Sequence, residues 1–559
     1  MMNILYGNKK LMADFEFMFK DIGFEQKIVE DVDDDRLLSV IKEIDDLFVY
    51  VCSKKYDNVK KELEHNGLKE EIDFINAISI FKYLDYDIDD KTKNKRIVVW
   101  GKGAGYKDLC DRNPEIIDKI EMILDNAAER NEVINGIPVI SPDDLKNADE
   151  YFCIITVRDD YRAVESQLRQ MGFDNGSYVF YERIFQRPSE LLIRTYMDEP
   201  MKPEIPICSA AFEYIEIHTT GEVTACCPNW ANMHLGNLLW DKYSELYTSV
   251  VSKIFKLSVI NGTYSFCHLE QCPFLQTYSV DKGEKYPKYE KGNTDLCIKW
   301  DDAPIKVSIN IDNTCNLHCV SCRKKIVKAE EKEVERRNRL TNIISLEILP
   351  KVNNLTYAGN GEVFLSDVYR KLIKEGRKDQ QLMLLSNGTL FSIEKFEEFA
   401  NCFGDIGISI SIDAATKETY EKIRRGGKWN DLIHNLEQMK KLREINFIKI
   451  FTLNFVISAE NVQEIDKFIE LGKKMSADRV SFTKLINWGT YSEEEFETQS
   501  VFDNAEKIKP QYKKYIEQSN IKHQIADSCN LVSIFRSYGG HSANCILDYE
   551  IHPIVGGAR

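Results

Sequence analysis

Three closely spaced cysteines offer the clearest chemistry in this chain. Cys315, Cys319 and Cys322 lie in IDNTCNLHCVSCRKK with the spacing C-x3-C-x2-C. Three thiolates on one loop suit a [4Fe-4S] cluster with one iron left without a protein ligand. A structural zinc site takes four protein ligands, and no fourth Cys or His follows Cys322 at ribbon spacing. His318, between two of the cysteines, reads as a loop residue. Upstream, Cys208, Gly221 and Cys226 form C-x12-G-x4-C, and CHLEQC supplies Cys267 and Cys272. Four thiolates suit a second iron–sulfur cluster or a zinc ion. Cys227 can exchange with Cys226 as a ligand, and Cys297 is a further candidate. Cys52, Cys110, Cys153 and Cys402 sit in apolar or helical surroundings and read as small buried hydrophobes. Cys529 and Cys545, in a weakly patterned tail, receive no role.

The bulk numbers bound the setting for these thiols. The chain opens on MMNILYGNKKLMADFEF, without a basic stretch, apolar core and small-residue cleavage site, which leads us to expect a cytoplasmic protein. Its 15 cysteines should then be reduced, so clustered ones read as metal ligands before disulfides. A net charge of −16 argues against a nucleic-acid partner, and no long apolar run predicts a membrane span. At 559 residues the chain should form several domains.

The elements that must position the cysteines follow from hydrophobic pattern. Apolar runs FVYVC, IVVW and FCIITV predict strands within residues 1–195. FVYVCSKKYDNVKKELEHNGL and FCIITVRDDYRAVESQLRQMGF both read strand, Tyr, amphipathic helix, Gly, which points to a tandem pair of Rossmann-like units over 1–90 and 91–195. Gly101, Gly103 and Gly105 follow the IVVW strand, and Asp125 closes the next apolar run; such a turn lets backbone N–H groups approach a pyrophosphate. Tyr106 stands where the usual third glycine belongs. MKPEIPIC opens a cysteine-rich segment over 196–300, with EYIEIHTTGEVTACC read as a hairpin turning at Gly221. Over 301–495, IKVSINI, NLTYAG, LMLLSNG, IGISISID, KIFTLNFVI and RVSFTKL alternate with helical stretches, predicting six β/α units and a parallel sheet. A helical extension is expected over 496–559.

With this context, residues 300–490 resemble the radical S-adenosylmethionine (SAM) superfamily. That resemblance implies an α/β fold with a partial (β/α)6 barrel, and a cluster on Cys315, Cys319 and Cys322 whose open iron binds SAM. It implies reductive cleavage of SAM to a 5′-deoxyadenosyl radical that abstracts hydrogen from a substrate, with electrons from a partner such as flavodoxin or ferredoxin. Gly359, Asn360, Gly361 and Glu362 are similar to the family's Gly-Gly-Glu turn for the SAM amino group, with Asn360 replacing a glycine. Asn387, Ser409, Ser411 and Asp413 would line the SAM site, strand alternation sending the last three to one face. By the same resemblance Arg424 would meet the SAM carboxylate. The residue before the last cluster cysteine, aromatic in many members, is Ser321, which removes a stacking surface for adenine.

The upstream cysteines, Cys208, Cys226, Cys267 and Cys272, resemble the auxiliary-cluster modules called SPASM and twitch domains, placed here ahead of the barrel. They imply a second [4Fe-4S] cluster that accepts an electron or orients the substrate. The stretch from IVVW through NGIPVISPDDL resembles Rossmann-like modules of nucleotide-sugar and polysaccharide enzymes, implying oxidation or modification of a sugar, nucleotide-sugar or glycan. The alternatives are a peptide-modifying enzyme and a non-catalytic iron–sulfur redox sensor.

Overall fold

The structure, a computed structural model, describes residues 2–7, 12, 15, 26–30, 47–92, 95–198, 207–231, 233–268, 272, 275, 303–357, 361–503, 507–523 and 547–550. Gly359, Asn360, Cys297, Cys529 and Cys545 lie outside the described residues. The chain forms two compact units: Met1–Met201 with Leu239–Asp241 and Thr248–Ser265, and Lys202–Leu238 with Lys242–Tyr247 and Phe266–Arg559. The cysteine-rich segment is thus divided between both.

In the first unit, β1 (Met2–Gly7), β2 (Gln26–Glu30), β3 (Leu47–Cys52) and β4 (Phe74–Asn76) form a sheet of order β2-β1-β3-β4. A second sheet takes β5 (Arg96–Trp100), β6 (Ile120–Leu124), β7 (Val133–Ile134), β8 (Ile137–Ile140), β9 (Tyr151–Ile155) and β10 (Tyr178–Phe180) in the order β10-β9-β5-β6-β8-β7. The run β6-β5-β9-β10 repeats β2-β1-β3-β4 strand for strand, and every pairing within both runs is parallel.

The likeness extends to the helix ends. β3 leads to helix Tyr56–His65 and β9 to helix Tyr161–Gln170. Each helix is followed by a left-handed glycine, Gly67 at φ 88° and Gly172 at φ 95°. Leu68 N then donates to Leu63 O and Phe173 N to Leu168 O, the backward bonds that close a Schellman end. The β5 glycine turn is filled by its own chain: Asp125 accepts from Lys102 N and Ala127 N at 3.1 and 2.8 Å. A Cβ on Gly105 would lie 2.0 Å from Thr156 O, whereas one on Gly103 would meet nothing within 4 Å. Gly105→Ala is therefore expected to cost roughly 3 kcal/mol in urea unfolding and Gly103→Ala far less.

The second unit holds β11 (Tyr214–His218), β12 (Glu222–Thr224), β13 (His234–Asn237), β14 (Lys306–Asn310), β15 (Asn354–Tyr357), β16 (Gln381–Ser386), β17 (Asp405–Ser411), β18 (Ile450–Ile457), β19 (Arg479–Lys484) and β20 (Leu547–Glu550). They form one sheet in the order β13-β12-β11-β14-β15-β16-β17-β18-β19-β20. Its six central strands, β14 to β19, are the six expected ones, parallel and in chain order. β11 turns at Gly221 (φ 84°) into β12 and also joins β14 in parallel, so the hairpin extends this sheet. Beyond β19 the described residues include helices Glu493–Gln499 and Pro510–His523 and a short strand, β20, which pairs antiparallel with β19. Four residues of strand carry too little periodicity to stand out in sequence.

Period-two alternation divides this sheet into two unlike faces. On one, Ile217, Ile309, Leu384, Ile408 and Leu453 are completely buried. The other face carries buried polar residues, Glu216, Ser308 and Asn310 on β11 and β14 and Ser409, Asn454 and Ser481 on β17 to β19, with the half-buried Met383 and Leu385 of β16 between the two groups. Among the described residues no helix is long and apolar enough to cross a membrane.

Candidate functional site

β14 ends at Asn310 and delivers the loop that carries Cys315, Cys319 and Cys322. An Asx arrangement shapes its start, with Asp312 Oδ1 accepting from Thr314 N and Thr314 Oγ1, both at 2.8 Å. Arg337 pairs with Asp312 at 2.8 Å, both side chains 6% exposed, and Ser366 Oγ donates to the other carboxylate oxygen at 2.6 Å. Gly361 lies close beneath the loop: a Cβ there would stand 2.4 Å from Asp312 O and 2.8 Å from Thr314 O. His318 N and Val320 N donate to Arg425 O and Ile423 O, so the cysteines also lean on the segment after β17.

Every one of the three sulfurs receives N–H groups. Leu317 N and Asn387 Nδ2 approach Cys315 Sγ at 3.4 and 3.7 Å. Arg424 Nη1 approaches Cys319 Sγ at 3.7 Å, and Arg323 Nε and Nη2 approach Cys322 Sγ at 3.4 and 3.3 Å. Burial pushes the Cys315 and Cys319 thiols up, so ionising them requires compensation from such donors and from a cation. The buried Arg424 Nε and His318 Nδ1 have no hydrogen-bond partner. This donor set fits an iron–sulfur group held by three thiolates, whose outer partners are N–H donors of this kind.

The other expected contacts are distributed as follows. Glu362 is completely buried, and its carboxylate accepts from Ser386 Oγ, Asn387 N and Phe364 N at 2.7, 2.7 and 3.1 Å. It ties the segment that begins at Gly361 to the end of β16, leaving about one of four acceptor positions open. Ser409 Oγ accepts from Asn454 Nδ2 at 2.6 Å, and Ser411, the last residue of β17, is half-buried. The alternation reading does not reach Asp413, since β17 stops at Ser411 and Asp413 adopts the left-handed region at φ 61°. There its carboxylate pairs with Arg424 at 2.6 Å and accepts from Val456 N at 2.8 Å. Arg424 accordingly links Asp413 to Cys319 and keeps only Nε unengaged.

Cys208, Cys226, Cys267 and Cys272 are electrostatic neighbours. Desolvation pushes the Cys226 thiol well up, and Cys208, Cys272, Cys267 and Cys227 add to the effect in that order. Local backbone bonds gather them: Cys267 bridges Ala231, His268 N donates to Trp230 O, and Cys272 N donates to His268 O. Among the described residues, no three Cys, His, Asp or Glu side chains already stand in an arrangement that could hold a metal ion. Cys52, Cys110 and Cys153 are buried as expected, while Cys402 is half-buried at a helix end, its thiol directed at Glu398 O and Lys374 O.

Sequence reading missed the polar group on β11 and β14. Asn310 Nδ2 donates to Glu216 Oε1 at 2.6 Å and the Tyr214 hydroxyl to Glu216 Oε2 at 3.2 Å. His218 Nε2 lies 3.0 Å from Thr224 Oγ1. The signal was present in YIEIH and KVSIN, whose alternate polar residues share one face. Burial pushes the Glu216 carboxyl from 4.5 up to about 7, against the lowering effect of Tyr214 and Asn310. Its contribution to stability is complete below about pH 4.5 and is lost as pH rises through 7, by about 3 kcal/mol. Urea unfolding of the wild type should therefore weaken over that window relative to Glu216→Gln.

Residues 309–472 match the family model described as Radical SAM superfamily. The AdoMet-dependent heme synthase of Methanosarcina barkeri is 27% identical over 183 residues, 32% of this chain and 50% of that protein. GTP 3′,8-cyclase of Alkaliphilus metalliredigens is 29% identical over 189 residues, 33% of this chain and 57% of the relative. The match thus spans about half the length of these curated relatives. The solved structure of coproporphyrinogen III oxidase from Escherichia coli, described as a radical SAM enzyme, aligns with 40% of this chain and 52% of its own, at 16% identity and a TM-score of 0.31. The cysteine loop lies near the head of the segment 309–472, which is similar to the radical SAM superfamily.

Proposed function

We propose that this protein is a radical SAM enzyme that modifies a hydrophilic substrate by hydrogen abstraction. The observation that carries the reading is the convergence of N–H donors from Leu317, Arg323, Asn387 and Arg424 on the sulfurs of Cys315, Cys319 and Cys322. A [4Fe-4S] cluster with SAM supplies one electron for cleavage of the sulfonium and thereby a carbon radical able to take hydrogen from an unactivated C–H bond. Asp312 and Arg337 hold the loop, Glu362 braces the end of β16, and Asn387 and Arg424 place donors on the sulfurs. Gly359, Asn360, Gly361, Ser409, Ser411 and Asp413 complete the proposed surroundings of SAM.

Cys208, Cys226, Cys267 and Cys272 are proposed to hold a second [4Fe-4S] cluster or a zinc ion. Metal analysis distinguishes these: about eight irons per chain for two clusters, about four irons and one zinc otherwise. A substrate rich in hydroxyl or amino groups suits the polar face. The named relatives act in heme and GTP chemistry, so the sugar or glycan reading rests on that face and the N-terminal sheets. The test is anaerobic reconstitution, reduction with dithionite in the presence of SAM, and chromatography for 5′-deoxyadenosine. Full iron loading without SAM cleavage, with or without cell extract, would overturn it.

A further inference from the structure

Of the described residues proposed around SAM, Glu362 follows β15 and Asn387, Ser409, Ser411 and Asp413 lie on or just after β16 and β17, strands that are all on one side of β14 in the sheet. β11 borders β14 on its other side and adds a buried carboxyl to the polar face. Glu216 and Asn310 are 9% and 7% exposed and hydrogen-bonded to each other, yet Asn310 Oδ1 has no hydrogen-bond partner. An unpaired buried amide oxygen costs roughly 1–3 kcal/mol unless a ligand or water meets it. Asn310 is the last residue of the strand whose loop carries Cys315. The neighbouring cation, Lys306, is engaged by Glu213 at 2.7 Å. What the Glu216–Asn310 pair offers is therefore acceptor capacity: the amide oxygen and the second lone pairs of the carboxyl.

We propose that Glu216 and Asn310 anchor the substrate through two hydrogen-bond donors on adjacent atoms, of the kind that the vicinal hydroxyls of a sugar or ribose present. Two such donors would satisfy Asn310 Oδ1 and offset the burial that pushes the Glu216 carboxyl up. Both are positioning residues for the second reactant, and the inference rests on the radical SAM reading of the neighbouring loop. Methyl β-D-ribofuranoside tests it directly, with propylguanidinium as a cationic donor pair for contrast. On the anaerobically reconstituted full chain, saturation-transfer NMR should detect the ribofuranoside. Glu216→Gln and Asn310→Leu should each weaken its binding by about fivefold or more, the loss of one hydrogen bond.

Hydrogen-exchange mass spectrometry of the wild type, which needs no variant to fold, should show ribofuranoside protection at 214–218 and 306–310. Binding of propylguanidinium alone, equal binding by folded variants, or no protection at those strands would overturn the subsite. The same samples are assayed for 5′-deoxyadenosine. SAM cleavage without ribofuranoside binding removes the subsite and leaves the radical SAM reading standing; ribofuranoside binding without SAM cleavage does the reverse.

Discussion

Cys319→Ala is expected to reduce 5′-deoxyadenosine formation to the level of the iron-free protein, while Cys402→Ala leaves it unchanged. Cys319 is buried, receives Arg424 Nη1 at 3.7 Å, and lies between two backbone bonds, from His318 N and Val320 N, that fix its loop. Alanine removes one of three proposed ligands and leaves two thiolates, too few to retain a cluster with a single open iron. Cys402 lies at a helix end with its thiol on Glu398 O and Lys374 O, away from that constellation. Iron per chain and the visible absorption of the reconstituted protein should fall together with SAM cleavage. Retention of both iron and cleavage by Cys319→Ala would dismiss the assignment.

Arg337→Ala should destabilise the second unit by about 3–5 kcal/mol and lower its iron content, although Arg337 touches no cysteine. The ion pair with Asp312 is 2.8 Å long and nearly sealed from water, so truncating the cation strands a charge in the interior. Asp312 is also the acceptor that shapes the start of the cysteine loop through Thr314. Two readouts separate its roles. Adding Asp312→Asn to Arg337→Met removes both charges and should recover most of the urea stability, while iron loading recovers less because the Thr314 turn loses its carboxylate. A loss under about 1 kcal/mol for Arg337→Ala would mean that solvent or another group compensates Asp312.

Much of the second unit was legible because six strand candidates with turn or helix signals between them have few alternatives to a parallel sheet. The spacing of Cys315, Cys319 and Cys322 singled out their loop, while its place at the end of the first strand, β14, came from the hydrophobic pattern. Asp413 was not: alternation holds only while the backbone stays extended, and a left-handed residue just past β17 breaks the period without leaving a mark in ISISID. Glu362 was recognised by position, but its internal donors come from Ser386 and Asn387, whose contact exists only after β15 and β16 pair. Glu216 escaped for a related reason. Its hairpin directed attention to the cysteines at its ends, whereas its significance comes from the parallel register with β14, some ninety residues downstream.

Helix Val250–Ile260 lies in the chain between the second pair of upstream cysteines and the first, yet it belongs to the N-terminal unit and packs on helix Pro188–Met197. Its Ile254, Phe255, Leu257 and Val259 are buried. A truncation starting after residue 201 would therefore carry an orphaned apolar helix into solvent and invite aggregation. The N-terminal sheets cannot be grafted or discarded by a single cut. A recombinant fragment of the second unit alone will need that helix replaced by a short polar linker.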